Sequence, residues 1–126
     1  MEMKEMKVLL CDDSNFVRAR LRQFLQAHGV EFIIETANGE DAVRQYTESR
    51  PDLVLMDIFM PEFNGVNALK EILDFDRNAK VVMLSSPGTQ DNLKDALDSG
   101  AYDFLQKPVD EKRLIKLLKK VKKDLK

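Results

Sequence analysis

LVLMDIFMPEFNG, residues 53–65, decides how the rest of the chain is read. It opens on an apolar run, Leu53 to Ile58, broken only by Asp57. A carboxylate inside such a run is costly unless it is paired, coordinated or set at the mouth of the structure. Pro61 and Gly65 follow closely and predict a turn. Asp57 is therefore expected at the last position of a strand, where the core meets solvent.

On both sides of this stretch, apolar runs alternate with amphipathic segments. KVLLCD (7–12), EFIIETA (31–37), DLVLMD (52–57), AKVVMLS (79–85) and YDFLQ (102–106) read as strands. The first is too uniformly apolar to leave one face wet. Ser14 opens a helix as N-cap, with Phe16, Val17, Leu21, Phe24 and Leu25 at helical spacing. His28-Gly29 closes it, the glycine suiting a left-handed cap and the histidine the negative helix end. Asn38-Gly39 precedes a helix through Ala42, Val43 and Tyr46, and another runs from about Gly65 to Asp74. A fourth lies near Gln90 to Ser99, carries Leu93, Ala96 and Leu97, and stops at Gly100. Asp110 caps the last, whose stripe is Leu114, Leu117, Leu118, Val121 and Leu125. Five βα units with short connections predict an α/β fold: a single doubly wound (βα)5 domain over residues 1–126, flavodoxin-like, with helices on both faces of a parallel sheet.

Composition agrees. The 126 residues, 44% apolar and 33% charged, suit one soluble globular domain. No apolar run approaches the roughly 18 residues of a membrane helix. The opening MEMKEMK lacks a signal-peptide core, so a cytoplasmic location is expected. Cys11 is the only cysteine and, within VLLC, reads as a small buried hydrophobe; the single histidine excludes multi-histidine metal sites. Residues 110–126 hold eight basic and three acidic side chains, a net +5, which leaves −7 for residues 1–109. An acidic body argues against nucleic-acid binding by the whole domain. The basic helix reads first as a solvated face, and second as a contact for an acidic partner.

In an open α/β sheet, ligands bind at the carboxyl ends of the strands, where strand order reverses. The first strand ends in Asp12-Asp13, the third in Asp57, the fourth in Ser85-Ser86 and the fifth in Lys107. In the order 2-1-3-4-5 the three carboxylates converge, with Ser85 and Lys107 on the same rim. Clustered carboxylates raise one another's pKa unless a cation intervenes. An all-oxygen donor set suits a hard ion, Mg²⁺ first and Mn²⁺ as the alternative. Lys107 and Ser85 add a point charge and a hydroxyl suited to phosphoryl oxygens, which makes the constellation resemble an acceptor for phosphoryl transfer. Singly, each residue has an ordinary explanation as a turn former, helix cap or strand terminus. Their joint placement at four strand ends does not.

CDDS (11–14), MDIFMPEFNG (56–65), MLSSPG (83–88) and SGAYDFLQKP (99–108), in this order and spacing, resemble the response-regulator receiver family, and within it the CheY-like members. CheY is itself a standard example of the 2-1-3-4-5 order. The resemblance covers essentially the whole chain. It implies that Asp57 is the phosphoacceptor, loaded from a phosphohistidine of a histidine kinase. It implies that Asp13, Asp57 and the backbone carbonyl of Phe59 bind the metal, with Asp12 acting mainly through water. Ser85 and Lys107 would hold the phosphoryl oxygens, Phe104 would be the switch aromatic, and the bond before Pro108 would be cis. Phe104 lacks the hydroxyl of the frequent Tyr. Phe59 and Pro87 are apolar where relatives often carry polar groups, which predicts a poorly oriented hydrolytic water and a long phosphoryl lifetime.

The leading functional reading is a stand-alone chemotaxis-type receiver, a monomer, that engages a flagellar motor switch protein or another output protein through the face of helix four, strand five and helix five. The alternatives are a phosphorelay carrier and the receiver fragment of a DNA-binding regulator. No nucleic acid or membrane partner is expected for the domain. It is not an enzyme on an outside substrate: no glycine-rich phosphate loop follows strand one and no histidine is placed as a base, so phosphoryl transfer and hydrolysis are expected at its own Asp57.

Overall fold

The computed structural model describes residues 2–60 and 63–125. Five strands form one parallel sheet: β1 Lys7–Cys11, β2 Phe32–Thr36, β3 Leu53–Asp57, β4 Val81–Ser85 and β5 Asp103–Gln106. Their order is β2-β1-β3-β4-β5. The helices between and after them are α1 Asn15–Ala27, α2 Gly39–Ser49, α3 Gly65–Phe75, α4 Gln90–Ser99 and α5 Glu111–Asp124. A short 3₁₀ turn, Met3–Glu5, precedes β1 and has no counterpart in the sequence reading. Pro61, one of the two residues taken to mark the turn after Asp57, lies outside the described residues.

Strand alternation explains the uniformly apolar runs. Val8 and Leu10 of β1, Leu53 and Leu55 of β3, and Val82 and Leu84 of β4 point into one core, which Leu21 and Leu25 of α1 and Leu114, Leu118 and Val121 of α5 complete. Leu9, Cys11, Val54, Met56, Val81 and Met83 point the other way, into a second core closed by α2, α3 and Ala96 of α4. Every second side chain serves a different helical layer, so no position on the central strands can be polar without facing one of them. β2, at the edge, relaxes this rule, and its Phe32 is half exposed.

The helix starts follow local hydrogen bonding. Ser14 accepts from Val17 N–H, Asn38 from Asp41 N–H and Asn64 from Asn67 N–H, each supplying an orphan amide of the first turn. Asp110 occupies the N-cap position of α5 as expected, but its side chain makes no capping hydrogen bond. The glycine stops hold: Gly29 and Gly100 take φ of 95° and 115°, which side-chain-bearing residues rarely adopt. Two apolar assignments need correction. Phe16, read as part of the apolar stripe of α1, is 74% exposed, and Leu97 of α4 is 39% exposed. At about 100° per residue, Phe16 lies opposite the buried Leu25 and shares its side of the helix with the exposed Arg20 and Gln23. Among the described residues, no helix is long and apolar enough to cross a membrane.

Candidate functional site

The sheet ends its central strands in buried charge. β1 runs directly into Asp12, which is 1% exposed, and β3 finishes in Asp57, at 6%. Their adjacency follows from the parallel register in which Cys11 lies beside Met56. Asp12 is locked by its neighbours: Oδ1 accepts the Ser14 N–H at 2.9 Å, and Arg18 donates to its carbonyl. Arg18 is itself held by Glu35 on β2, at 3.2 Å. Asp13 lies beside them but is exposed, and one carboxylate oxygen from each of Asp12, Asp13 and Asp57 fits within a 4.8 Å group.

Lys107 reaches into this group from the end of β5. Its Nζ lies 2.6 Å from Asp12 Oδ2 and 3.2 Å from Asp57 Oδ1. The contact with Asp12 is one of charge, because that buried oxygen makes no hydrogen bond of normal angle. Burial pushes the Asp57 carboxyl up to about 6, the Asp12 charge adds to this, and Lys107 offsets part of it. Desolvation by the protein, more than repulsion among carboxylates, is therefore the main effect, which refines the sequence argument. For Lys107 the balance is reversed. Burial favours the neutral amine, but contact with Asp12 and the charge of Asp57 outweigh it and hold the pKa above the ordinary lysine value. Lys107 thus supplies part of the positive charge that the crowded carboxylates call for.

Of the remaining expected residues, Ser85 stands at a strand end and Phe59 and Pro87 lie just past strand ends, while Phe104 stands further back on β5, beside Met83. Ser85, the last residue of β4, is buried, and its carbonyl accepts the Lys107 N–H at 2.7 Å. The Lys107–Pro108 bond is cis. Phe59, two residues past Asp57, is 56% exposed, and Pro87 is exposed in the turn between β4 and α4. Phe104 stands on β5, half buried against the core that α4 helps to close. It is one strand position from Leu105, which faces the opposite core.

Two residues that shape the mouth escape sequence reasoning. Thr89 is buried, its Oγ1 accepts the Ser86 N–H at 3.1 Å, and the same hydroxyl donates to the Ser86 carbonyl at 2.7 Å. It closes the β4–α4 turn on itself. A threonine directly before a helix suggests a cap, but this side chain bonds backward instead. Gly65 begins α3 against the Asp57 backbone: a Cβ there would lie 1.9 Å from the Asp57 carbonyl oxygen, and Gly65 N–H donates to the Ile58 carbonyl at 2.8 Å. In the sequence, Gly65 signals a turn, not this close approach.

The sequence matches the response regulator receiver domain family over residues 8–119. It is 43% identical to the chemotaxis protein CheY of Thermotoga maritima, over 93% of this chain and 98% of that protein. It is 41% identical to CheY of Bacillus subtilis, over 90% and 95%. Among solved structures, a response regulator receiver domain protein from Clostridium thermocellum superposes with a TM-score of 0.88 at 27% identity, covering 95% of this chain and 98% of that one. The CheX–CheY–BeF3–Mg complex from Borrelia burgdorferi matches with a TM-score of 0.85 at 36% identity, over 92% and 88%. By these likenesses, its five-stranded order and its acidic mouth, the chain belongs to the response regulator receiver domain family.

Proposed function

We propose that the chain, read as one receiver domain over residues 1–126, is a phosphorylation-dependent switch of a two-component system, acting in chemotaxis in the cytoplasm. The observation that carries this is the Asp57 carboxylate at a nearly dry strand end, 3.2 Å from Lys107 and grouped with Asp12 and Asp13. A structural ion pair would not need a third carboxylate or leave a buried Asp12 oxygen without an aligned donor.

The donor set fits Mg²⁺: the group contains oxygen ligands only, and two of its three carboxylates are held rigidly by their strands. Asp13, Asp57 and the Phe59 carbonyl would hold the ion, with Asp12 outside them. When bound, the ion supplies positive charge against the phosphoryl oxygens and the crowded carboxylates. The chain's own residues do the rest. An Asp57 oxygen attacks the phosphorus of a phosphohistidine on the kinase, a P–O bond forms as the P–N bond breaks, and the imidazole leaves with the electron pair. Lys107 exchanges its contact with Asp57 for a phosphoryl oxygen, and the Ser85 hydroxyl donates to another. Phosphorylation adds up to about two negative charges at this point.

The output reading rests on the far side of β5. Phe104, Leu105, Lys116 and Lys120 line a groove of about 650 Å³ between β5 and α5, where a motor switch protein or another output protein would dock. Movement of the β4–α4 turn toward the phosphoryl group opens space for Phe104 to turn inward, which alters this face. The similarity to CheY proteins over nearly their whole length supports chemotaxis above the relay alternative. Incubation with acetyl phosphate, with and without Mg²⁺, tests the reading by intact mass: one phosphoryl adduct that needs Mg²⁺ and maps to Asp57 is expected. Equal labelling of Asp57→Ala would overturn it.

A further inference from the structure

The unexplained feature of the molecule is the outer surface of α5, whose lysines border the β5 groove on one side and the α1 side on the other. Lys112, Lys116, Lys119 and Lys123 recur at intervals of three and four residues and make one exposed basic stripe. Eleven residues separate its ends, about 16 Å along a helix. None of the four has an ion-pair partner among the described residues, whereas Lys120, on the β5 side, pairs with Asp103 at 3.7 Å. Like charges one helical turn apart oppose helix formation. The fold does not require them either, because α5 covers the sheet with Leu114, Leu117, Leu118 and Val121.

This stripe borders a concave, partly apolar floor. Ile115, half buried, lies between His28 at the end of α1 and the lysines, in a groove of about 370 Å³. A second hollow of about 580 Å³ continues it past Met3 and Lys122. Acidic groups stand within the same track: Glu111 bonds His28 at 3.0 Å, and Glu2 lines the second hollow.

The geometry points to a second docking surface, formed by α1 and α5, for an acidic amphipathic helix of another protein that sets one apolar side chain on Ile115 and spaced carboxylates on Lys112, Lys116, Lys119 and Lys123. Charge complementarity selects the sign of the partner. Spacing selects its form, since cations at helical intervals match carboxylates at helical intervals. The embedded Glu111 and Glu2 penalise a continuous polyanion such as DNA, and the −7 charge of residues 1–109 repels an anionic bilayer. The leucines that would anchor α5 in lipid face the core instead. Its floor, Ile115 and His28, lies apart from the groove over Phe104, although Lys116, Lys119 and Lys123 border both.

The probe is a fluorescent 16-residue alanine-based helix with glutamates at helical spacing and a central leucine, titrated into the full chain without phosphodonor. Expected are saturable, salt-sensitive binding, amide shifts that centre on Ile115 and His28, and at least tenfold weaker binding by Lys116→Glu/Lys119→Glu. Ile115→Ser is expected to lower affinity several-fold, while Lys70→Glu, a lysine on α3 remote from the stripe, leaves it unchanged. Circular dichroism of each variant separates lost binding from lost folding. No binding at millimolar peptide, equal binding by the glutamine version, shifts centred on Phe104 and Leu105, or tighter binding to phosphatidylserine vesicles or duplex DNA would each overturn the assignment.

Discussion

Opposite ends of the same sheet each bring a lysine to an aspartate, and they do so differently. At the amino end, Asp52 accepts the Lys7 N–H at 2.8 Å, the Lys7 ammonium donates to the Ser49 carbonyl at 2.8 Å, and the same ammonium lies 4.9 Å from the centre of the Phe32 ring. Each polar group there has a partner of the right kind, near water. At the carboxyl end, Lys107 is shared between Asp12 and Asp57, both nearly dry, and one carboxylate oxygen lacks an aligned donor. The first arrangement ties a strand end to a loop. The second holds charge in a place where it costs stability, which supports the proposed reading of this rim as a site for chemistry.

Breaking the carboxyl end should have the larger consequences. Asp57→Asn is expected to abolish phosphoryl uptake, read as the intact mass after acetyl phosphate and Mg²⁺. Gly65→Ala should follow in size, since the new methyl collides with the Asp57 backbone: a loss of about 3 kcal/mol in urea unfolding, with slower phosphorylation. Asp57→Asn should meanwhile stabilise the metal-free protein at pH 7.5, by on the order of 1–3 kcal/mol. The sign follows from linkage. Burial pushes the folded carboxyl up to about 6, above the ordinary 3.8, so between these values the folded state holds a proton that the unfolded chain has released. Wild-type stability therefore falls as pH rises from about 4 to 6, and the deficit persists above that. The advantage of the Asn variant should vanish in unfolding measurements at pH 3.5 and shrink when Mg²⁺ is added.

Asp52→Ala sharpens the contrast from the other end. Losing its bond to the Lys7 amide should cost about 1 kcal/mol and leave the phosphorylation rate unchanged. The smallest effect is expected at the rim. Phe59→Asn should shorten the phosphoryl lifetime by roughly threefold, under about 1 kcal/mol in barrier, measured as phosphate release from loaded protein. An unchanged or longer lifetime would remove the apolar pair Phe59 and Pro87 from any role in hydrolysis.

How much of this was legible in the sequence depends on which physical rule governs each residue. Asp12, Asp57, Ser85 and Lys107 could be placed because strand ends are marked by abrupt loss of hydrophobicity, and parallel order then sends those ends to one rim. The burial of Cys11 follows from the same periodicity and appears as a thiol pushed up to about 12 by desolvation. Phe16 misled because it was grouped with the stripe on hydrophobicity, although the helical period sets it opposite Leu25, on the wet side. Gly65 and Thr89 were unreadable for another reason. Their roles, a backbone close approach and a hydroxyl bonding three residues backward, are tertiary and local events that leave no period.

Thr89 has a consequence for how motion would travel from the mouth. Its two bonds to Ser86 cinch residues 86–89 into a small closed ring, from which only Pro87 and Gly88 protrude, and Gly88, at φ 91°, has open space about its Cα. A ring of this kind pivots whole where an open strand would fray. In the proposed switch, a pull on Ser85 would therefore reach the first turn of α4 as rigid leverage.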